Sequence, residues 1–559
     1  MTRHSIRSFS PRKSADTASP ATSGQRAQSV GLRCSRFLFV LCALLITTAS
    51  IHAQIYRADV DFNGGNYFVD AFSGSATDTY RGKKLVHLDN GDVVVAGLVP
   101  NMRGGNAGGL GLVRYNAAGQ RVTWANPGAT GFDGNQYVVY DANTLVPRPI
   151  DDVKDIVVSG NLLFVLVDVQ GYGLHFSGNP PMPVPAFTRY ASDVMVFNTD
   201  GKFLSSVEMG STLADEGDPR NFFGGGIAVY QNSLLLSDGG VSLVFAGSAI
   251  ESNVSRPVFQ RFSLDATDGS LTSVTGIVYP NPGNYCPTNR GCEINGLALG
   301  GRLTVTGPPR IYLGGSRQAT LGDNADWDFM VMRVSSNGAP DTSFNTAGVN
   351  VMPFNIAPGN LGDHGRSIAV LGSNGTTTNE RIFVGGDVAV NCGDGMGVVK
   401  FNGDGTPDST FGSGGLAKRY FGSEYSSSGC MVPRTDNYTH SITLAEGLIA
   451  FAGQRNTAPF FISPDSVDGV VAFMDMQSGS LISFDIYPYA ETAGGSRSRH
   501  SGLWGIVAAG HGAFTATGDV RYFTSSGSSV SGKMQYATLR FSDRIFRSTL
   551  GHGDDPVTP

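Results

Sequence analysis

Charge is scarce in this chain of 559 residues: Asp, Glu, Lys and Arg make up 15%, against about 25% in an average globular protein. What charge there is leans acidic, 40 basic against 46 acidic residues for a net of −6. A nucleic-acid binder relying on a basic surface is therefore excluded. Long apolar runs are missing too. The longest stops at Phe37–Ile46, well short of the roughly 20 residues that span a membrane. There is no Gly-x-Ser-x-Gly nucleophile elbow and no His-Glu-x-x-His zinc helix. What is plentiful is glycine, 75 residues, within a chain that is 41% hydrophobic. That apolar content excludes wholesale disorder, and abundant Gly with many Val, Phe and Ser fits short strands joined by tight turns.

The N-terminus reads as an address. Arg3, Arg7, Arg12, Lys13, Arg26, Arg33 and Arg36 precede the apolar run, and the small and polar Thr47-Thr-Ala-Ser50 follows it. A basic head, a short apolar middle and a small-residue exit define a secretory signal peptide. Residues 1–53 are assigned to it, with cleavage after Ala53, residues 54–548 to the folded body and 549–559 to a polar tail. No Cys sits at a lipobox-like exit. Export to the periplasm or the medium makes disulfides permissible. Of six cysteines, Cys34 and Cys42 leave with the signal. The four others, Cys286, Cys292, Cys392 and Cys430, allow three connectivities. Cys286–Cys292 is the natural local pair, leaving Cys392–Cys430. Neither pair has the two-residue spacing of a zinc site, and no His accompanies them.

Self-similarity decides the architecture. A short apolar strand ending in a small residue recurs as Val93-Val-Val-Ala-Gly97, Val244-Phe-Ala-Gly247, Tyr312-Leu-Gly-Gly315, Phe383-Val-Gly-Gly386, Ala450-Phe-Ala-Gly453 and Thr515-Ala-Thr-Gly518, with a degenerate copy at Phe164-Val-Leu-Val167. Successive copies lie 65 to 80 residues apart. Each is preceded by an apolar strand such as Ile368-Ala-Val370, and followed by a third such as Val398-Val-Lys-Phe401 with a turn at Gly405. Asn-Gly and Asp-Gly in those turns supply the positive φ of tight hairpins. Four strands in each of seven units predict an all-β, seven-bladed β-propeller. The last unit ends after its third strand, Tyr536-Ala-Thr-Leu-Arg540. Near the N-terminus Asp59-Val-Asp-Phe62 repeats the unit ending Asp341-Thr-Ser-Phe344. The N-terminal strand is expected to complete the last blade.

The phrases Asn337-Gly-Ala-Pro-Asp341-Thr-Ser-Phe344 and Asp404-Gly-Thr-Pro-Asp408-Ser-Thr-Phe411-Gly resemble the delta-60 repeat. Leu112-Val-Arg-Tyr-Asn-Ala-Ala-Gly119 resembles the middle of that repeat, while units two, six and seven lack the Asp-x-x-Phe signature. The resemblance implies a propeller in exported bacterial proteins and supplies no catalytic residues. On the residues themselves, Asp341 and Asp408 are expected to cap turns, with Phe344 and Phe411 packing between blades.

Three groups of residues are candidates for chemistry. Asp323, Asp326 and Asp328 offer clustered oxygens of the kind Ca²⁺ takes, but without the Gly turn and closing Glu of an EF-hand, so no cofactor is expected. The loops 170–190, 280–293 and 421–438 are candidate recognition surfaces. Finally, residues just before each first strand should ring one mouth of the channel: Lys83, Lys154, Gly225, Asn295, Arg366, His440 and Trp504, with Arg499 and His500 close by. Fixed cations there would focus an anionic or sugar ligand, and Trp504 would offer a stacking face. The expected protein is a monomeric binding scaffold for a glycan, an anionic polymer or a protein. The alternatives are a polysaccharide lyase or hydrolase at the channel mouth, depending on His440 or Arg366, and a structural envelope protein.

Overall fold

The first five repeats each fold into a separate antiparallel four-stranded sheet whose strands follow in chain order, and the last two share a larger sheet. In blade 1 these are Arg81–His87, Val93–Val99, Gly109–Tyr115 and Tyr137–Tyr140. Blades 2 to 6 repeat the pattern, opening on Ile150–Ser159, Asn221–Gln231, Cys292–Arg302, His364–Leu371 and Asp436–Ala445. In the computed structural model the described residues are 56–59, 62, 68–70, 80–99, 109–125, 137–140, 149–177, 182–209, 221–232, 240–251, 254–280, 285–286, 289–302, 304, 307–319, 326–354, 362–372, 375, 379–390, 393–421, 436–456, 466–487, 490–493, 496–510, 512–526 and 529–543. All fall in the unit Gln54–Pro559; the expected signal peptide and C-terminal tail lie outside them. Among the described residues no helix is long and apolar enough to cross a membrane.

Blade 7 takes Ser496–Gly510, Ala513–Ser526 and Ser529–Asp543 from the C-terminal end. Its outer strand comes from the other end of the chain. Tyr56–Ala58 and Phe68–Asp70 both pair antiparallel with Ser529–Asp543, as the sequence repeat requires. The opening strand of each blade contacts those of its two neighbours, blade 7 against blade 1 included, so the ring is closed. The pairing covers the outer edge of Ser529–Asp543 with short strands, the protected kind of edge that propellers keep.

Seven buried apolar clusters form the core, one in each interface between adjacent blades. The Asp-x-x-Phe signature is part of that packing. Asp341 Oδ1 accepts from Ser343 N at 3.0 Å and Asp408 Oδ1 from Thr410 N at 3.1 Å, capping their turns. Phe344 and Phe411 are fully buried, reaching below Gly405 and Gly479 of the following blade. Each carboxylate also binds a cation of the third strand, Arg333 at 2.9 Å and Lys400 at 3.0 Å. Asp59 and Phe62 reproduce the device for blade 7, with Arg540 at 2.9 Å from Asp59 and Phe62 against Gly119 of blade 1. The turn glycines have the positive φ that the motif calls for, 83° at Gly338 and 90° at Gly405.

One expectation changes. Segment 170–190 is no open loop, because strands Leu162–Ser177 and Met182–Asn198 pair through most of it as a long hairpin. Cys286 and Cys292 are bonded as expected; Cys392, Cys430 and residues 422–435 lie outside the described residues.

Candidate functional site

Each opening strand breaks register with the second strand at one equivalent place. The breaks fall between Gly82 and Lys84, Val153 and Asp155, Gly224 and Gly226, Ile294 and Gly296, Gly365 and Ser367, Thr439 and Ser441, and Leu503 and Gly505. The residues left over are Lys83, Lys154, Gly225, Asn295, Arg366, His440 and Trp504. A β-bulge leaves one residue unpaired and re-aims its side chain. Here seven bulges turn one residue per blade to a single opening. All seven line one cavity of about 160 Å³, joined by Lys84, Asp152, Val153 and Gly224. The sequence reading places these residues just before the strands; they lie inside them, at the bulges.

The recurring glycine of the second strand explains why the bulge is tolerated. A Cβ at Gly97, Gly247, Gly315, Gly386, Gly453 or Gly518 would stand 1.7 to 2.2 Å from a carbonyl oxygen of the opening strand. In each case the oxygen belongs to the residue two positions before the bulge, as Glu293 for Asn295. Blade 2 has Val167 in place of the glycine and keeps the bulge at Lys154.

The residue after that glycine ties the bulge down. Lys154 Nζ lies 3.3 Å from Asp168, and Arg366 Nε 2.9 Å from Asp387. Trp504 Nε1 donates to Asp519. The same position holds the next blade: Asp168 accepts from Gly224 N at 2.7 Å, Ser248 from Ile294 N at 2.8 Å, Ser316 from Gly365 N at 2.9 Å and Asp387 from Thr439 N at 2.7 Å. Sequence reasoning passed over these residues, although their signal is simple: a Ser, Asp or Gln directly after the motif's last residue in six of seven units.

Electrostatically the mouth is a basic ring around one carboxylate. Asp152 takes Lys83 at 3.2 Å and Lys154 at 3.0 Å. Burial works to raise the Asp152 carboxyl, but the two ammoniums hold it below its ordinary range. Burial likewise works to lower Lys154, and Asp152 and Asp168 outweigh it, keeping that ammonium charged. Burial pushes Asp168 and Asp387 up to about 6, against the cations beside them. His440 is held down at about 3 by burial and by Lys83 and Arg366, so it is a neutral member of the ring. Its imidazole stacks on Trp504 with ring centres 4.0 Å apart, and Lys83 Nζ lies 3.7 Å from the indole centre, within cation–π range. The indole is thus engaged by neighbours rather than offered whole as a stacking face. Asn295 Nδ2 donates to Gly365 O at 2.8 Å. His500 pairs in parallel register with Val467 as Arg499 does with Ser466, and the side chains of both lie outside the described residues.

Below the mouth the channel widens into a second cavity of about 230 Å³, where Lys84 and Asp155 face each other among Leu85, Ile156, Leu297, Ile368, Ile442 and Ile506. Burial lowers Lys84 despite Asp155 and Asp152. Asp155 is pushed up to about 6 by burial, opposed by the bond from Ile227 N and by Lys84.

Of the calcium candidates, Asp323 lies outside the described residues. Asp326 and Asp328 are 4% and 6% exposed. Burial, with the charge of Asp326, pushes Asp328 up to about 6. Among the described residues no group of three or more His, Cys, Asp or Glu is placed to hold a metal. Gly393-Asp-Gly-Met-Gly397 opens a strand, Gly393–Asn402.

No protein-family profile and no curated protein matches the chain. Among solved structures it is similar to a PL25 ulvan lyase bound to -[GlcA(1-4)Rha3S]- at 11% identity, over 83% of this chain and 94% of that one, with a TM-score of 0.35. A second polysaccharide lyase, Uly1, is similar at 12% identity over 89% and 95%, with a TM-score of 0.35. The β-propeller domain of the Trilobed protease from Pyrococcus furiosus is similar at 10% identity over 71% and 95%, with a TM-score of 0.25. At these levels the likenesses say nothing of what this chain binds. Strand order and ring closure make it a seven-bladed β-propeller with a basic channel mouth.

Proposed function

We propose that the chain is an exported β-propeller that binds an anionic polymer, seating an acidic group of that polymer in the channel mouth. The observation that carries this reading is the convergence of Lys83, Lys84, Lys154 and Arg366 on an opening with Asp152 as its lining carboxylate. In a chain of net charge −6 such a concentration attracts anions, and low-dielectric walls strengthen it. The Arg366 side chain is 40% exposed and contacts Asp387 through Nε, so its fork is accessible to an incoming carboxylate, sulfate or phosphate. Because the backbone bulges fix the ring, little side-chain ordering opposes binding. Export rests on the basic head and short apolar run before residue 54, and kinship with the delta-60 repeat on the Asp-x-x-Phe phrases.

A glycan and polyanion array, run on the protein and on the Lys84→Gln/Arg366→Gln double variant, tests the proposal. The expected result is capture of acidic polymers by the parent and loss of at least about tenfold in affinity in the variant, as removal of two cations from the opening requires. Capture of no polyanion, or equal capture by both proteins, overturns it.

A further inference from the structure

Beside the mouth lies a crevice of about 240 Å³ that shares Lys154, Gly224 and Asn295 with it, so one ligand can occupy both. Its walls differ from those of the mouth. Phe223 and Ile250, both half-buried, give it an apolar side. Phe223 is held by the Tyr190 ring, stacked at 5.3 Å and 30°. Ser248 and Ser255 stand on the same face, paired in register with Phe223 and Ile250, and Glu293 comes from the opening strand of the next blade. Glu293 bonds Ser255, and burial raises its carboxyl while Arg366 and Lys154 oppose the rise. Ser248 Oγ accepts the Ile294 N–H at 2.8 Å, which leaves its own proton to be donated.

We propose that this crevice is a second subsite, shaped for the hydroxyl-bearing ring of an acidic saccharide whose charged group occupies the mouth. The proposal rests on the reading of the mouth as an anion site and names the polymer class. The carbonyl-type oxygens of a carboxyl accept hydrogen bonds in either protonation state, so a ligand that brings O–H groups matches Glu293. A pyranose does so around its rim, and turns the apolar C–H face of its ring to Phe223 and Ile250. A polyphosphate chain or a nucleic-acid backbone brings further negative charge against Glu293 and has nothing for Phe223. The neighbouring cations and this single carboxylate therefore select a chain in which acid groups alternate with hydroxyls, as in a polyuronate.

The test compares the purified protein with Phe223→Ala, Glu293→Gln and Lys84→Gln/Arg366→Gln variants, titrated with tetragalacturonate, inorganic polyphosphate and poly-glutamate at equal ionic strength. The parent is expected to prefer tetragalacturonate. Phe223→Ala and Glu293→Gln should each cut the preference for tetragalacturonate over polyphosphate by about tenfold, the size of one good contact. The double variant should weaken all three probes. Glu293→Gln keeps the shape of the side chain, so the comparison survives if Phe223→Ala folds poorly. An unchanged preference in both single variants overturns the crevice subsite and leaves the mouth standing. A parallel loss of poly-glutamate binding in Phe223→Ala assigns the crevice to peptide and overturns the saccharide. Failure of every probe to bind the parent overturns the mouth reading as well.

Discussion

Replacing Gly386 by Ala tests the link between the repeat's glycine and the bulge that carries Arg366. A Cβ at Gly386 would meet His364 O at 1.9 Å, His364 C at 2.8 Å and Gly365 Cα at 2.9 Å. All three are backbone atoms, so no side chain can swing aside. Carbon contacts below 3.0 Å are essentially unknown, and the two strands must part by roughly 1 Å. That movement pulls on the Gly365 N–H bond to Ser316 at 2.9 Å and on the Arg366–Asp387 pair. Overpacking a core side chain costs about 1–3 kcal/mol; with backbone on both sides the upper figure, about 3 kcal/mol, applies. At about 2 cal/mol/K per residue, a unit the size of Gln54–Pro559 unfolds with an entropy of about 1 kcal/mol/K, so a cooperative midpoint should drop by about 3 °C. Scanning calorimetry beside Gly276→Ala provides the comparison, because a Cβ at Gly276 meets nothing within 4 Å. Gly276→Ala should leave the midpoint unchanged or slightly higher. A Gly386→Ala protein that melts with the parent would refute the account of the bulge.

Other outcomes follow from the same structure. Asp408→Ala strips the partner from Lys400, whose side chain is 3% exposed, and should cost about 3 kcal/mol in denaturant unfolding. Cys286→Ser with Cys292→Ser opens a loop of sequence separation 6, and the released chain entropy corresponds to about 2 kcal/mol under non-reducing conditions. Burial, with the charge of Arg366, holds His364 down at about 4, below the ordinary value of about 6.5. The fold therefore favours its neutral form, and this contribution is complete above pH 6.5 and lost as pH falls through 4. Measured against His364→Gln, the parent should lose stability across that window; parallel pH profiles would contradict the burial of His364.

Much of this was legible in the residues, for definite physical reasons. The glycine ending each second strand marks a place where backbone meets backbone, and repetition every 65 to 80 residues counts the blades. Asp59 and Phe62 announce the closure because they bind Arg540 and fill the space beside Gly119, as Asp341 and Phe344 do with Arg333 and Gly405. The ring at the mouth was found by register alone. Its position inside the strands was not, since a bulge interrupts the alternation by which a strand is recognised and makes the strand look as if it begins later. The state of Trp504 was equally hidden. Its partners Lys83 and His440 come from other blades, and only the closed ring brings them together. Lys84 and Asp155, which face each other below the mouth, lie next to bulge residues and read as ordinary strand polarity.

The central claim, that cations at and beside the bulges make the mouth an anion site, is tested most directly by titrating an acidic oligosaccharide into the parent and into Lys84→Gln/Arg366→Gln over a series of salt concentrations. Screening weakens an ionic site steeply as the Debye length falls from about 10 Å at 0.1 M salt to about 3 Å at 1 M. The parent should lose affinity with salt, and the variant should bind more weakly with a flatter dependence. Binding that ignores salt, or a variant that retains the parent's affinity and slope, would contradict the claim.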